Sequence, residues 1–66
     1  MQATELVVDW TLLTPGETVV VTDANGTHHS GAVDVVAPDG SIFWVYSMFG
    51  RCLFARAEQY EVWRTP

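Results

Sequence analysis

Two adjacent histidines, one cysteine, a pair of nearby aspartates and three arginines are the side chains of this sequence best equipped for chemistry. His28 and His29 are metal ligands by type. Successive residues on a strand point to opposite faces, however, so the pair cannot easily chelate one ion. No Cys-x-x-Cys or His-x-x-x-His spacing supplies further zinc ligands. No metal site is expected. Cys52 is the only cysteine, which rules out a disulfide within one chain. Its neighbours Leu53 and Phe54 predict a buried thiol rather than a reactive one. Ser, His and Asp all occur, yet no serine stands in a strand-to-helix elbow. Asp34 and Asp39 flank a turn, with no helix or pocket to bring them together. No glycine-rich loop leads into a helix, so phosphate cradling lacks its support and no cofactor is expected. A 66-residue chain also has little volume for a pocket that excludes water. These readings predict a protein that is not an enzyme.

The charge is uneven. Eight acidic residues stand against three basic ones, for a net charge of −5, and there is no lysine. Arg51, Arg56 and Arg64 all lie in the last quarter of the chain. Phosphate binding needs Lys or Arg to displace counterions, so this balance disfavours direct nucleic-acid binding. The opening "MQATELVVDW" has no basic n-region, no long apolar run and no small-residue cleavage site. That predicts neither secretion nor membrane insertion, and a cytoplasmic location. Asn25-Gly26-Thr27 matches a glycosylation site formally but is read as a turn.

The elements that must position these residues are strands. Turn chemistry punctuates the chain at "TPGE" (14–17), "NG" (25–26), "PDG" (38–40) and "FG" (49–50). Between the turns lie "ETVVVTDA", "THHSGAVDVVA", "SIFWVYSM", "RCLFARA" and "YEVWR", which read as five strands. The stretch 55–59 is expected to make one helical or 3₁₀ turn. Asn25-Gly26 predicts a two-residue type I′ loop. Asp23 then faces His28, whose protonated form that carboxylate would favour, and Val19 faces Ala32. Val19 and Val21 share a face, and Gly31 marks a bulge or bend. A two-residue loop at Phe49-Gly50 would set Met48 against Arg51, Tyr46 against Leu53 and Val45 against Phe54.

The order of these elements resembles the SH3-like small β-barrels, the broad group that includes Tudor-like and KOW-like domains. The residues that carry the likeness are "LTPGETVVV", "SGAVDVVAPDG", "FGRCLF", the short turn "ARAEQ" and the closing strand "YEVWR". The resemblance implies one all-β domain: a five-stranded barrel over residues 14–64, with residues 1–13 added as an N-terminal extra strand or arm. Such barrels bind proline-rich peptides, methylated side chains, nucleic acids or other proteins, so the fold does not choose a function. The chain lacks the acidic first loop and "ALYDY"-like run of peptide-binding SH3 domains. It is acidic where KOW-type domains are usually basic. Trp44, Tyr46 and Trp63 could supply rings for a methyl-lysine cage, but their spacing singles none out.

The strand "SIFWVYSM" breaks the alternation of a half-buried strand. One face of its hairpin with "RCLFARA" holds Phe43, Val45, Cys52 and Phe54. The other holds Ile42, Trp44, Tyr46, Met48 and Leu53. Left open, the second face would be large for a soluble monomer. Either the apolar arm "TELVVDWTLL" folds over it, or another chain does, and Trp, Tyr, Met and Arg are the types enriched at interfaces. Trp44, Tyr46, Met48, Phe49, Arg51 and Leu53 are therefore the candidate partner-binding residues. The expected function is a non-catalytic protein–protein interaction module, a small accessory or regulatory protein of a bacterium or a phage. Self-association as a homodimer is its simplest version. The alternatives are a KOW/Tudor-like component of a transcription or translation complex, or an acidic nucleic-acid mimic.

Overall fold

The computed structural model describes residues 5–65. Six strands form one antiparallel sheet: β1 (Glu5–Val7), β2 (Thr18–Thr22), β3 (His28–Val36), β4 (Ile42–Ser47), β5 (Gly50–Ala55) and β6 (Glu61–Arg64). Their spatial order is β1-β6-β2-β3-β4-β5. The domain is all-β, and each run between turns becomes a strand. The sheet is not closed: β1 and β5 are its two edges. A 3₁₀ turn at Trp10–Leu12 is a helical element that the apolar pattern did not show. Residues 55–59 make a single turn, in which the Glu58 N–H donates to the Ala55 carbonyl at 3.0 Å. Among the described residues, no helix is long and apolar enough to cross a membrane.

All six strands share one interior, and the arm completes it. Val19 and Val21 of β2, Val33 of β3, Phe43 and Val45 of β4, Phe54 of β5 and Val62 of β6 are buried together. β1 adds to the free side of β6, with Val7 opposite Val62. Asp9 then caps the 3₁₀ turn: its carboxylate accepts the Thr11 N–H at 3.0 Å and the Thr11 hydroxyl at 2.6 Å. The cap turns Trp10 inward, edge-on to Phe43 with ring centroids 4.8 Å apart. Val7, Trp10 and Leu13 are all buried. The arm is thus the expected extra strand, but it fills the core, and no described segment covers the second apolar face of the β4–β5 hairpin. Residues 1–4 of the expected arm lie outside the described residues.

One arginine fastens that arrangement. Arg64 closes β6, and its guanidinium donates to both carboxylate oxygens of Glu17, at 2.6 and 3.2 Å. It also reaches Glu5 at 3.0 Å and the Leu12 carbonyl at 2.9 Å. β1, the end of the 3₁₀ turn and the loop before β2 are tied to one planar group, which a lysine could not span. Glu17 accepts in addition the Thr14 N–H at 2.6 Å and its hydroxyl at 2.9 Å. Arg64, first, and these bonds hold the Glu17 carboxyl below its ordinary range.

The first hairpin differs from its expected form by one residue, and the slip changes faces. Asp23 accepts the N–H groups of Asn25 and Thr27, at 2.9 and 3.0 Å, and its carbonyl accepts the Gly26 N–H. This Asx turn keeps Asn25 at negative φ and leaves only Gly26, at φ 83°, in the left-handed region. The loop therefore holds three residues rather than a type I′ pair. Val19 pairs with Gly31 instead of Ala32, and Thr22 with His28. His29, Gly31 and Val33 turn inward as a result, and His29 rather than His28 meets Asp23. Gly31 is no bulge. It is a point of close approach, since an added Cβ would collide with the Tyr46 carbonyl and the Val45 side chain.

Two outcomes follow from this packing. Replacing Gly31 by Ala forces β3 and β4 apart and is expected to cost ~1–3 kcal/mol, a fall in Tm of about 10 °C for a domain of this size, read by thermal circular dichroism. Glu17 has a folded-state pKa below its ordinary 4.5. Its stabilisation is complete above that value and is lost as pH falls through the folded-state pKa. Melting curves of the wild type are expected to drop steeply below about pH 4.5. In Arg64→Met the melting temperature is lower at neutral pH and its acid dependence shallower; an unchanged acid limb would show that the clamp is not the source.

Candidate protein-docking face

The convex side of β3–β4–β5 carries the candidate residues. β4 and β5 are joined by the two residues Met48-Phe49, with Ser47 opposite Gly50. The Ser47 hydroxyl accepts the Phe49 N–H at 3.1 Å and donates to the Gly50 carbonyl at 3.2 Å. This register is two residues from the expected one, so partners change while faces stay. Tyr46 stands opposite Arg51, Trp44 opposite Leu53 and Val45 opposite Cys52. Phe43, Val45 and Phe54 point into the core, with Cys52 half-buried among them.

A bulge in β3 completes the outer face. Ala32 and Val33 oppose Tyr46 and Val45 in regular register, but the next pairs are Val35 with Trp44 and Val36 with Phe43. Asp34 is the extra residue. The shift carries Val35 outward, where it is 52% exposed, and returns Val36 to the edge of the core. Val35, Trp44 and Leu53 consequently line up across three strands, flanked by Ile42 and by Tyr46. Tyr46 is 51% exposed and Leu53 46%, while the tip residues Met48 and Phe49 reach 89% and 90%.

Arg51 lies over this face. Its guanidinium lies 4.4 Å from the Trp44 ring centroid and 5.6 Å from that of Tyr46, and Asp34 anchors it at 2.9 Å. This explains why Trp44 is half-buried while its neighbours are open. Of the expected residues, Trp44, Tyr46, Arg51 and Leu53 converge on one face, whereas Met48 and Phe49 extend beyond it at the hairpin tip. The sequence reading left out Val35 and Asp34. No signal in the apolar pattern reveals a bulge, so their outward placement depends on register alone.

The remaining candidate groups disperse. His28 contacts the Thr22 hydroxyl at 3.1 Å, and His29 contacts Asp23 at 3.2 Å across the hairpin. The His29 contact, followed by the N–H groups of Thr27 and Asn25, holds the Asp23 carboxyl below its usual range. Among the described residues, no three His, Cys, Asp or Glu side chains form a group that could hold a metal ion. Behind the docking face, on the concave side, a groove of about 820 Å³ runs past His29, Gly31, Val45, Cys52 and Phe54 to the tip. A smaller opening of about 240 Å³ lies by Val8, Trp10, Arg56 and Tyr60. There the Arg56 guanidinium donates to the Val8 carbonyl at 2.8 Å and sits 5.9 Å from the Trp10 ring centroid.

Comparison with protein-family models, with curated proteins and with solved structures finds no match to this chain.

Proposed function

We propose that this chain is a non-catalytic protein–protein interaction module of the SH3-like small-barrel kind, working in the cytoplasm as an accessory or regulatory protein. It docks through the convex face of β3–β4–β5. One observation carries the reading: Val35, Ile42, Tyr46 and Leu53 form with Trp44 a contiguous apolar face that no described segment covers. Folding has already consumed the apolar arm, which is buried at Val7, Trp10 and Leu13. Exposed faces of this kind on small soluble domains are contact surfaces, with aromatic and arginine anchors supplying most of the energy. Trp44 beneath the Arg51 guanidinium is such an anchor. The net charge of −5 around it steers a basic partner.

The arrangement of the arginines weighs against direct phosphate contact. Arg51 is paired with Asp34, Arg64 with Glu5 and Glu17, and Arg56 is bonded to the Val8 carbonyl. Counterion release needs basic groups free to meet phosphate.

The test is comparative retention. Immobilised wild-type protein and the folded variants Trp44→Ala and Tyr46→Ala are exposed to an extract of the source cells, with Glu58→Ala as a surface control away from the face. Specific partners are expected to be retained by wild type and control and lost at least tenfold from the two face variants. Identical retention by all four proteins would remove the docking face. Binding to DNA and RNA across a salt series is expected to be weak and flat.

A further inference from the structure

We infer that the β5 edge pairs with the β5 edge of a second copy of this chain, antiparallel about a two-fold axis at Cys52. The inference rests on the reading of the β4–β5 hairpin as a contact surface and names its occupant. β5 is a six-residue edge strand, whereas the opposite edge, β1, has three residues among those described. Natural edges are blunted by charged side chains, proline, bulges or shortness. β5, Gly-Arg-Cys-Leu-Phe-Ala, has no proline and one charge, Arg51, which Asp34 engages at 2.9 Å, and its register against β4 is unbroken from Ile42 to Ser47.

The ladder shows which backbone groups are on offer. The Arg56 N–H donates to the Ser41 carbonyl at 2.7 Å. Antiparallel strands bond through alternate residues, so Gly50, Cys52 and Phe54 also direct their backbone groups to β4. Arg51, Leu53 and Ala55 direct theirs out of the sheet. The Ala55 carbonyl accepts the Glu58 N–H, which leaves both groups of Arg51 and both of Leu53 facing outward.

A second copy matches those groups in one register. With Cys52 opposite Cys52 of the second copy, Arg51 of each chain faces Leu53 of the other. Each pair exchanges both N–H···O bonds, so four bonds form and every outward group of the two residues is used. The register centred on Arg51 would stack two guanidinium groups. The register centred on Leu53 needs the Ala55 carbonyl, which is already engaged. Charge does not oppose the chosen register, because Arg51 is neutralised by Asp34 at 2.9 Å. The same register brings Phe49 of one copy beside Ala55 of the other. Phe49 alone can bury ~150–250 Å². Phe49 and Met48, 90% and 89% exposed, supply the apolar area at the two ends of the seam.

Cys52 reports on the register. It occupies the non-hydrogen-bonded position of the seam, where facing Cα atoms lie about 4.5 Å apart, within the range that a disulfide bridges. The experiment is sedimentation of the full chain from low to high micromolar concentration, with mild diamide oxidation under native conditions. A reversible dimer is expected, and oxidation converts it to a Cys52–Cys52 bridged species. Leu53→Lys sets a lysine against Arg51 in both pairs, and is expected to weaken dimerisation at least tenfold and abolish the bridge. Glu61→Ala, an exposed position on β6 away from the β5 edge, keeps both. Amide exchange of wild-type Arg51 and Leu53 needs no variant, and their protection is expected to rise with concentration. A dimer that survives in folded Leu53→Lys overturns the edge pairing. So does a monomer at every concentration with freely exchanging Arg51 and Leu53 amides. A monomer that still loses foreign partners on Trp44→Ala overturns the pairing and leaves the docking face standing.

Discussion

A single sheet has one concave side, and 66 residues provide no second layer to fill it. Among the described residues, the arm before β2 takes on that task. Val7, Trp10 and Leu13 supply that filling, and the Arg64 guanidinium holds the three parts of the arm and loop against β6. The exposed convex face is the consequence. Apolar chain spent on the interior cannot also shield the outside of β4 and β5. In a domain of this size, where burial leaves a margin of only a few kcal/mol, filling the interior takes precedence over covering a surface.

The charges follow the same logic. Each arginine is used structurally: one closes the arm, one leans on Trp10 at the sheet opening, and one roofs Trp44. Half of the eight acidic side chains act as turn and cap acceptors: Asp9, Glu17, Asp23 and Asp39. Hydrogen bonds to these carboxylates favour their ionised forms and lower all four pKa values. An acidic composition that looks like a message about partners is in large part the hardware of tight loops.

Much of this was legible in the sequence. Turn residues bounded every strand after the arm, and the two-sided apolar pattern of residues 42–54 assigned Phe43, Val45 and Phe54 to one face and Trp44, Tyr46 and Leu53 to the other. What could not be read was register. The pair Asn25-Gly26 suggested a tighter loop because the competing acceptor, Asp23, lies outside that pair and acts through its side chain. The arm's destination was hidden for a related reason: Val7, Trp10 and Leu13 follow a three-residue spacing through a cap and a 3₁₀ turn, which matches neither strand alternation nor a full helix. Val35 was missed because a bulge leaves no mark in hydrophobic order.

That bulge also governs which length changes the chain can tolerate. Past Asp34 the in–out parity of β3 is reversed, and Val36 meets Phe43 because Asp34 stands outside the pairing. Removing Asp34 alone would make the ladder regular, with Val35 still facing outward opposite Trp44 and Val36 still inward opposite Phe43. Removing two residues there would instead turn Val36 out to water. Related chains are accordingly expected to keep the bulge or to lack that single residue.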